Sequence, residues 1–184
     1  MNHKLAFIFP GQGSQITGMG KDLYGNFNIA KDLYEEADDF FNFSLTKISF
    51  EGPEPLLKQT IYTQPALFVH SCSISSILKN NQIYPNALAG HSIGELSALF
   101  CAGVITFKDG LKIVKSRSEA MAESGINQPG TMAAFIGANE HQIKDICNQQ
   151  DTVVAANINS KDQIVISGTI NGVENAIKTG KKMG

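Results

Sequence analysis

Five residues carry the clearest chemical signal: Gly90-His91-Ser92-Ile93-Gly94. This is the G-x-S-x-G pattern of a nucleophile elbow, in which a serine sits on a strained strand-to-helix turn. Such a turn lifts the hydroxyl above the sheet. Small residues two before and two after it let neighbouring backbone approach closely. The following helix offers free N–H groups and its positive dipole end to developing negative charge. The chemistry such a turn could carry is nucleophilic catalysis by the serine hydroxyl. The same five-residue pattern also arises by chance in Gly/Ser-rich loops, so its flanks decide.

A serine nucleophile needs a base. The four histidines are His3, His70, His91 and His141. His91 precedes the serine on the turn, so its ring is expected to point away from the reacting face and to pack or line a pocket. His3 belongs to the terminus, His70 falls mid-helix and His141 opens a second-lobe helix. None is a convincing base. Gly11-Gln12-Gly13-Ser14-Gln15-Ile16 is a second glycine loop, but Ile16 breaks the dinucleotide fingerprint and the Lys-Ser/Thr pair of a P-loop is missing. It reads as a turn that aims Gln12, or as a plain turn with a solvated glutamine. Arg117 lies 25 residues after Ser92, within the apolar stripe Gly110, Val114, Arg117, Met121. A guanidinium is costly to bury unpaired. The bland alternative is an arginine that snorkels to water, and for Met121 a core methionine.

The elements that must position these groups follow from periodicity and punctuation. Leu5 to Phe9 and residues 86–90 read as strands, and Ile93 to Ala102 as the helix after the elbow, stopped by Gly103. Residues 27–43 read as a helix. Another is expected to start at Thr63-Gln64-Pro65, with Pro65 near the first position and Leu67, Ser71, Ile74 and Leu78 on its inner face. Thr106 caps a helix running to about Glu123, and Gly125 and Pro129-Gly130 break the chain. Thr131 to Gly137, Thr152 to Asn157 and Gln163 to Ser167 then read as strands. Glu140 to Gln149 and Val173 to Met183 read as helices. The order βαββα is one strand short of a ferredoxin-like unit.

Composition excludes several classes. Across 184 residues, 42% are hydrophobic and 17% charged, which is globular. No apolar run approaches the roughly 20 residues of a spanning helix, and Leu5–Phe9 is too short for a signal-peptide core. A net charge of −2 argues against nucleic acid, which needs a basic excess. Cys72, Cys101 and Cys147 have no metal spacing, so a reducing cytoplasm is the expected location.

Phe9-Pro10-Gly11-Gln12-Gly13-Ser14-Gln15, Thr63-Gln64-Pro65-Ala66-Leu67 and Gly90-His91-Ser92-Ile93-Gly94-Glu95 occur in order. Together they resemble the malonyl-CoA:acyl carrier protein transacylases and the acyltransferase domains of fatty acid and polyketide synthases. The resemblance runs from Lys4 to the last residue. It implies an α/β fold: an α/β-hydrolase-like parallel-sheet core over residues 1–124 and a ferredoxin-like small subdomain over 125–184 lacking its last strand. It implies that Ser92 takes malonyl from malonyl-CoA as an ester and passes it to the thiol of the acyl carrier protein. Gln12 and the Ile93 N–H would shape the oxyanion hole, and Arg117 would pair with the malonyl carboxylate. Gln64, His91, Met121, Asn157 and Asn159 would line the cleft; for the asparagines a strand-end turn is an equal alternative. Coenzyme A enters only as a thioester substrate, with no metal, prosthetic group, nucleic acid or membrane partner. Lys161, Lys178, Lys181 and Lys182 are candidates for docking an acidic carrier. The family's catalytic histidine lies in a later segment. This chain is therefore expected to be an N-terminal, C-terminally incomplete part, with impaired catalysis and exposed edges that favour association; the complete enzyme is expected to be a monomer. The alternatives are a serine hydrolase or thioesterase of the same elbow type, and an inactive carrier-binding fragment.

Overall fold

The structure is a computed structural model that describes residues 4–150 and 152–183; His3 lies outside them. The fold is mixed α/β and divides into two compact units, Met1–Ala122 and Glu123–Gly184.

In the first unit, β1 (Ala6–Phe9) and β2 (Ala87–Gly90) pair in parallel, with Phe9 opposite Gly90. That register brings the two chemically marked loops, at Pro10 and His91, to the same ends of neighbouring strands. Helices α1 (Lys21–Asn26), α2 (Asn28–Phe41), α3 (Leu45–Glu51), α4 (Glu54–Leu57) and α5 (Thr60–Asn80) lie between the strands in sequence. After β2 come α6 (Gly94–Cys101) and α7 (Phe107–Asn127). Gly103, at φ +77°, ends the stretch after α6. Thr106 caps α7, accepting from the Asp109 N–H at 3.1 Å.

The unit is organised around α5. Its buried residues run from Thr63 to Val69 and continue through Ser71, Cys72, Ser73, Ser75 and Ile77. The expected inner stripe is therefore too narrow: Leu67 and Ser71 are buried, but Ile74 is 38% exposed. A helix with α2, α3, α4 and α6 all packed against it has no single apolar face. Its start also differs from the expectation. α5 begins at Thr60, which places Pro65 inside the helix. Tyr62 packs edge-on against Phe43 at 5.0 Å, and such anchoring extends the helix back beyond the proline. The lost N–H would have bonded the carbonyl of Ile61, a half-buried residue near the helix start. Gly110 allows α7 to lie close on α5: a Cβ there would sit 2.2 Å from Phe68 Cζ. Phe68 also stacks on Phe107 at 5.7 Å. Gly125 does not break the chain; it lies within α7, where a helical glycine costs only about 1 kcal/mol.

His70 sits on α5 with Nδ1 3.5 Å from the Tyr34 hydroxyl. Burial pushes its imidazole below the usual histidine range, while the carboxylate of Asp22 pulls weakly the other way. The unfolded chain thus takes up this proton more readily than the folded one. The contribution is fully present above the unfolded pKa of about 6.5 and is lost as pH falls below it. The melting temperature is expected to fall between pH 7 and pH 5, and His70→Gln to flatten that dependence. Equal slopes in parallel thermal melts would remove this role.

The second unit contains β3 (Gly130–Ile136), α8 (Glu140–Asn148), β4 (Val153–Ser160), β5 (Gln163–Thr169) and α9 (Ile170–Met183). The sheet is antiparallel in the order β3-β5-β4. Alternation along β5 buries Ile164 and Ile166 against Ile143, Ile146, Val173 and Ala176 of the two helices. The opposite face leaves Met132, Ile136 and Val154 exposed. Asn139 and Gln142 form a reciprocal capping box at the start of α8.

Candidate active site

The elbow is built by local sterics. Ser92 has φ +53°, a conformation that a residue with a Cβ adopts only under constraint. The two flanking glycines supply that constraint. A Cβ on Gly90 would lie 2.2 Å from the Glu95 nitrogen, and one on Gly94 would lie 2.3 Å from the Phe9 carbonyl oxygen. The turn therefore folds down onto the end of β1 and the start of α6, and neither contact admits a methyl group. The His91 N–H donates to the Phe9 carbonyl at 3.0 Å, and Gly94 and Glu95 donate to His91 and Ser92 carbonyls. Among the described residues the Ile93 N–H has no hydrogen-bond partner. It is a free donor adjacent to the serine, while the Ile93 side chain is anchored at 1% exposure.

Ser92 is exposed. Its hydroxyl accepts a hydrogen bond from Arg117 Nη2 at 3.0 Å. Val114, one turn earlier on α7, is fully buried and fixes the helix face from which Arg117 projects. No carboxylate pairs with Arg117 among the described residues, and it is the only arginine in the chain. One turn further along, the Met121 sulfur accepts from Gln64 Nε2 at 3.1 Å. Gln64 is fully buried, and its Oε1 has no hydrogen-bond partner among the described residues. An unpaired buried acceptor costs about 1–3 kcal/mol, so this side chain is held in place at a cost to stability.

The other candidates are placed differently. Gln12 is exposed, and its Nε2 donates to Thr60 Oγ1 at 3.3 Å rather than to the serine. Thr60 was not legible as a site neighbour: it lies 48 residues away and carries no motif. Gly11 gives room to His91, since a Cβ there would stand 2.4 Å from Nδ1; the ring thus lies against the Gln12 loop. Asn157 pairs with Val165 within the second unit's sheet, and Asn159 Nδ2 donates to Gln163 Oε1 at 2.9 Å. His141 is exposed and lies 3.8 Å from Asp145. Among the described residues, no histidine or carboxylate hydrogen-bonds Ser92. Nor does any group of three or more His, Cys, Asp or Glu side chains there offer a metal site. No helix of the described residues is long and apolar enough to cross a membrane.

The family profile described as "Acyl transferase domain" matches residues 6–184. The chain belongs to the acyl transferase domain family. This acyl transferase domain is 42% identical over 185 residues to the malonyl CoA-acyl carrier protein transacylase of Bacillus subtilis strain 168, covering 98% of this chain and 58% of that protein. Among solved structures it resembles the malonyl CoA-acyl carrier protein transacylase of Coxiella burnetii at 38% identity and TM-score 0.91, over 98% of this chain and 58% of the other. It also resembles a malonyl-transacylase solved with its type II polyketide acyl-carrier protein, at 37% identity and TM-score 0.91, over 99% and 60%. The acyl transferase domain seen here thus spans less than two thirds of the length of these relatives.

Proposed function

We propose that this chain carries the nucleophile and acid-recognition part of a malonyl-CoA:acyl carrier protein transacylase. The observation that carries this reading is the Arg117 guanidinium, unpaired with any described carboxylate, 3.0 Å from Ser92 Oγ. A thioester bound at Ser92 would bring a terminal carboxylate within reach of that cation, where a bidentate charge-assisted pair is strong and selective. A hydrolase for neutral acyl groups has no use for an unpaired guanidinium beside its serine, so the thioesterase reading is disfavoured.

In this mechanism Ser92 Oγ attacks the malonyl thioester carbon. The new oxyanion is met by the free Ile93 N–H, with the Gln12 loop beside it. The C–S bond then breaks and coenzyme A leaves as its thiol, taking a proton. In the second half-reaction the carrier's thiol attacks the serine ester and the hydroxyl is regenerated. No described histidine or carboxylate hydrogen-bonds Ser92, so removal of its proton is the slow element in this reading. Coenzyme A is a substrate here, and no metal or prosthetic group takes part. The parallel β1–β2 pair followed by the elbow supports a hydrolase-like core. The strand order β3-β5-β4 with two helices on one face supports a ferredoxin-like second unit. Exposed Lys178, Lys181 and Lys182 on α9 are available to an acidic carrier.

The test is a competition between malonyl-CoA and acetyl-CoA for acylation of the chain. Arg117→Ala is expected to lower the malonyl preference roughly 10- to 100-fold, the range for a lost charge-assisted hydrogen bond. An unchanged preference would refute the role of Arg117.

A further inference from the structure

The hydrogen bond from Arg117 to Ser92 has a consequence of its own, which rests on the reading of Arg117 as the acid-binding group. A serine hydroxyl attacks through an oxygen lone pair. Here one lone pair is already engaged by a charged donor at 3.0 Å, and charged donors make the stronger hydrogen bonds. The strained φ of +53° fixes the Ser92 Cβ at the apex of the turn, on the side that Arg117 reaches. Arg117 is only half-buried and has no described carboxylate to hold it elsewhere. Its guanidinium thus has two competing acceptors: the neutral hydroxyl when the site is empty, and an anionic carboxylate when one arrives. The carboxylate is the better acceptor on charge and on bidentate fit.

We infer that Arg117 is a resting clamp on the nucleophile, released by the acid group of the correct acyl chain. With no acid group present the guanidinium stays on Ser92 Oγ and mutes its attack. A carboxylate draws the guanidinium to itself and frees the lone pair. Selection against acyl groups lacking the acid then has two parts, weaker binding and a nucleophile left engaged. Arg117 therefore acts as a specificity-determining residue on the reaction step as well as on binding.

Two measurements test this on the full chain. The first uses the fact that Arg117 is the only arginine: selective ¹⁵N labelling of arginine gives a single set of guanidinium signals. Ser92→Ala is expected to shift those signals and to speed guanidinium rotation, and added malonate to shift them in the unmodified chain. Signals indifferent to Ser92→Ala would overturn the clamp without any change at Arg117. The second follows labelling by a neutral fluorophosphonate, in which the Ser92 O–P bond forms, fluoride leaves and the serine proton passes to solvent. Arg117→Ala and Arg117→Leu are each expected to speed this labelling about tenfold, a modest share of what a hydrogen bond to a charged group is worth. An unchanged or slower rate would show that the guanidinium does not restrain the hydroxyl. A carboxylate-bearing fluorophosphonate reports separately on acid recognition: if it labels the unmodified chain no faster than the neutral probe, the reading of Arg117 as the acid-binding group fails, whatever the neutral rates show.

Discussion

Ser92→Ala is expected to abolish acylation of the chain by malonyl-CoA, leaving label at the level of a blank. The ester has one possible origin in this reading. Ser92 is the elbow residue, exposed, at φ +53°, under the Arg117 guanidinium and next to the Ile93 N–H, which has no partner among the described residues. Alanine keeps the Cβ and so leaves the backbone constraint unchanged; only the hydroxyl is lost. The fold should be untouched, with a thermal unfolding midpoint near that of the parent. Intact mass measured after incubation with malonyl-CoA checks both halves. A malonyl adduct persisting on the variant at the parent's stoichiometry would place the nucleophile elsewhere. In enzymes with a complete serine machinery, removal of the serine costs about 10⁶-fold in turnover. Here the all-or-none covalent signal is the sharper readout, because it reports the serine ester directly.

Gly94→Ala is expected to damage both stability and labelling, in contrast to the serine variant. Its new methyl would sit 2.3 Å from the Phe9 carbonyl oxygen and 2.7 Å from that of Pro10. Both obstacles are backbone, so no side-chain rotation relieves them. The elbow must lift off β1, and the His91 N–H bond to Phe9 lengthens or breaks. Overpacking of this kind costs about 3 kcal/mol or somewhat more, a drop of roughly 6–12 °C in melting temperature for a domain of this size. Displacing a nucleophile by about 1 Å costs on the order of 10² in rate. Thermal melts and labelling kinetics on the same preparation check the prediction. A variant with the parent's midpoint and labelling rate would show that the close packing is not required.

The elbow was legible before any coordinates because its requirement is local. Gly90 and Gly94 are demanded by atoms no more than a few residues away or directly across one strand pair, and a strand followed by a helix is visible in periodicity. The same locality made the cap at Thr106 and the stop at Gly103 readable. Elements whose limits depend on distant packing were read less well. Pro65 marked a helix start by its own chemistry, yet Tyr62 against Phe43 carries α5 back to Thr60. Gly125 marked a break, yet its modest helical penalty is outweighed and α7 runs through it. The stripe on α5 failed because neighbours pack on it from several sides, so Ile74 rather than a polar position is left in the open.

The site divides the same way. Its backbone half is written in the chain: a strained serine between two glycines, and the free N–H that follows it. Its side-chain half depends on where helices far apart in sequence come to rest. That Arg117 reaches Ser92 across 25 residues, that Gln12 turns to Thr60, and that Gln64 is held by Met121 with its carbonyl unpaired follow from where α7, the elbow, the loop after β1 and α5 come to rest. The elbow's glycine sterics need only the start of α6 and the end of the neighbouring strand β1. The meeting of long side chains is a property of packed helix faces, which only the assembled tertiary structure decides.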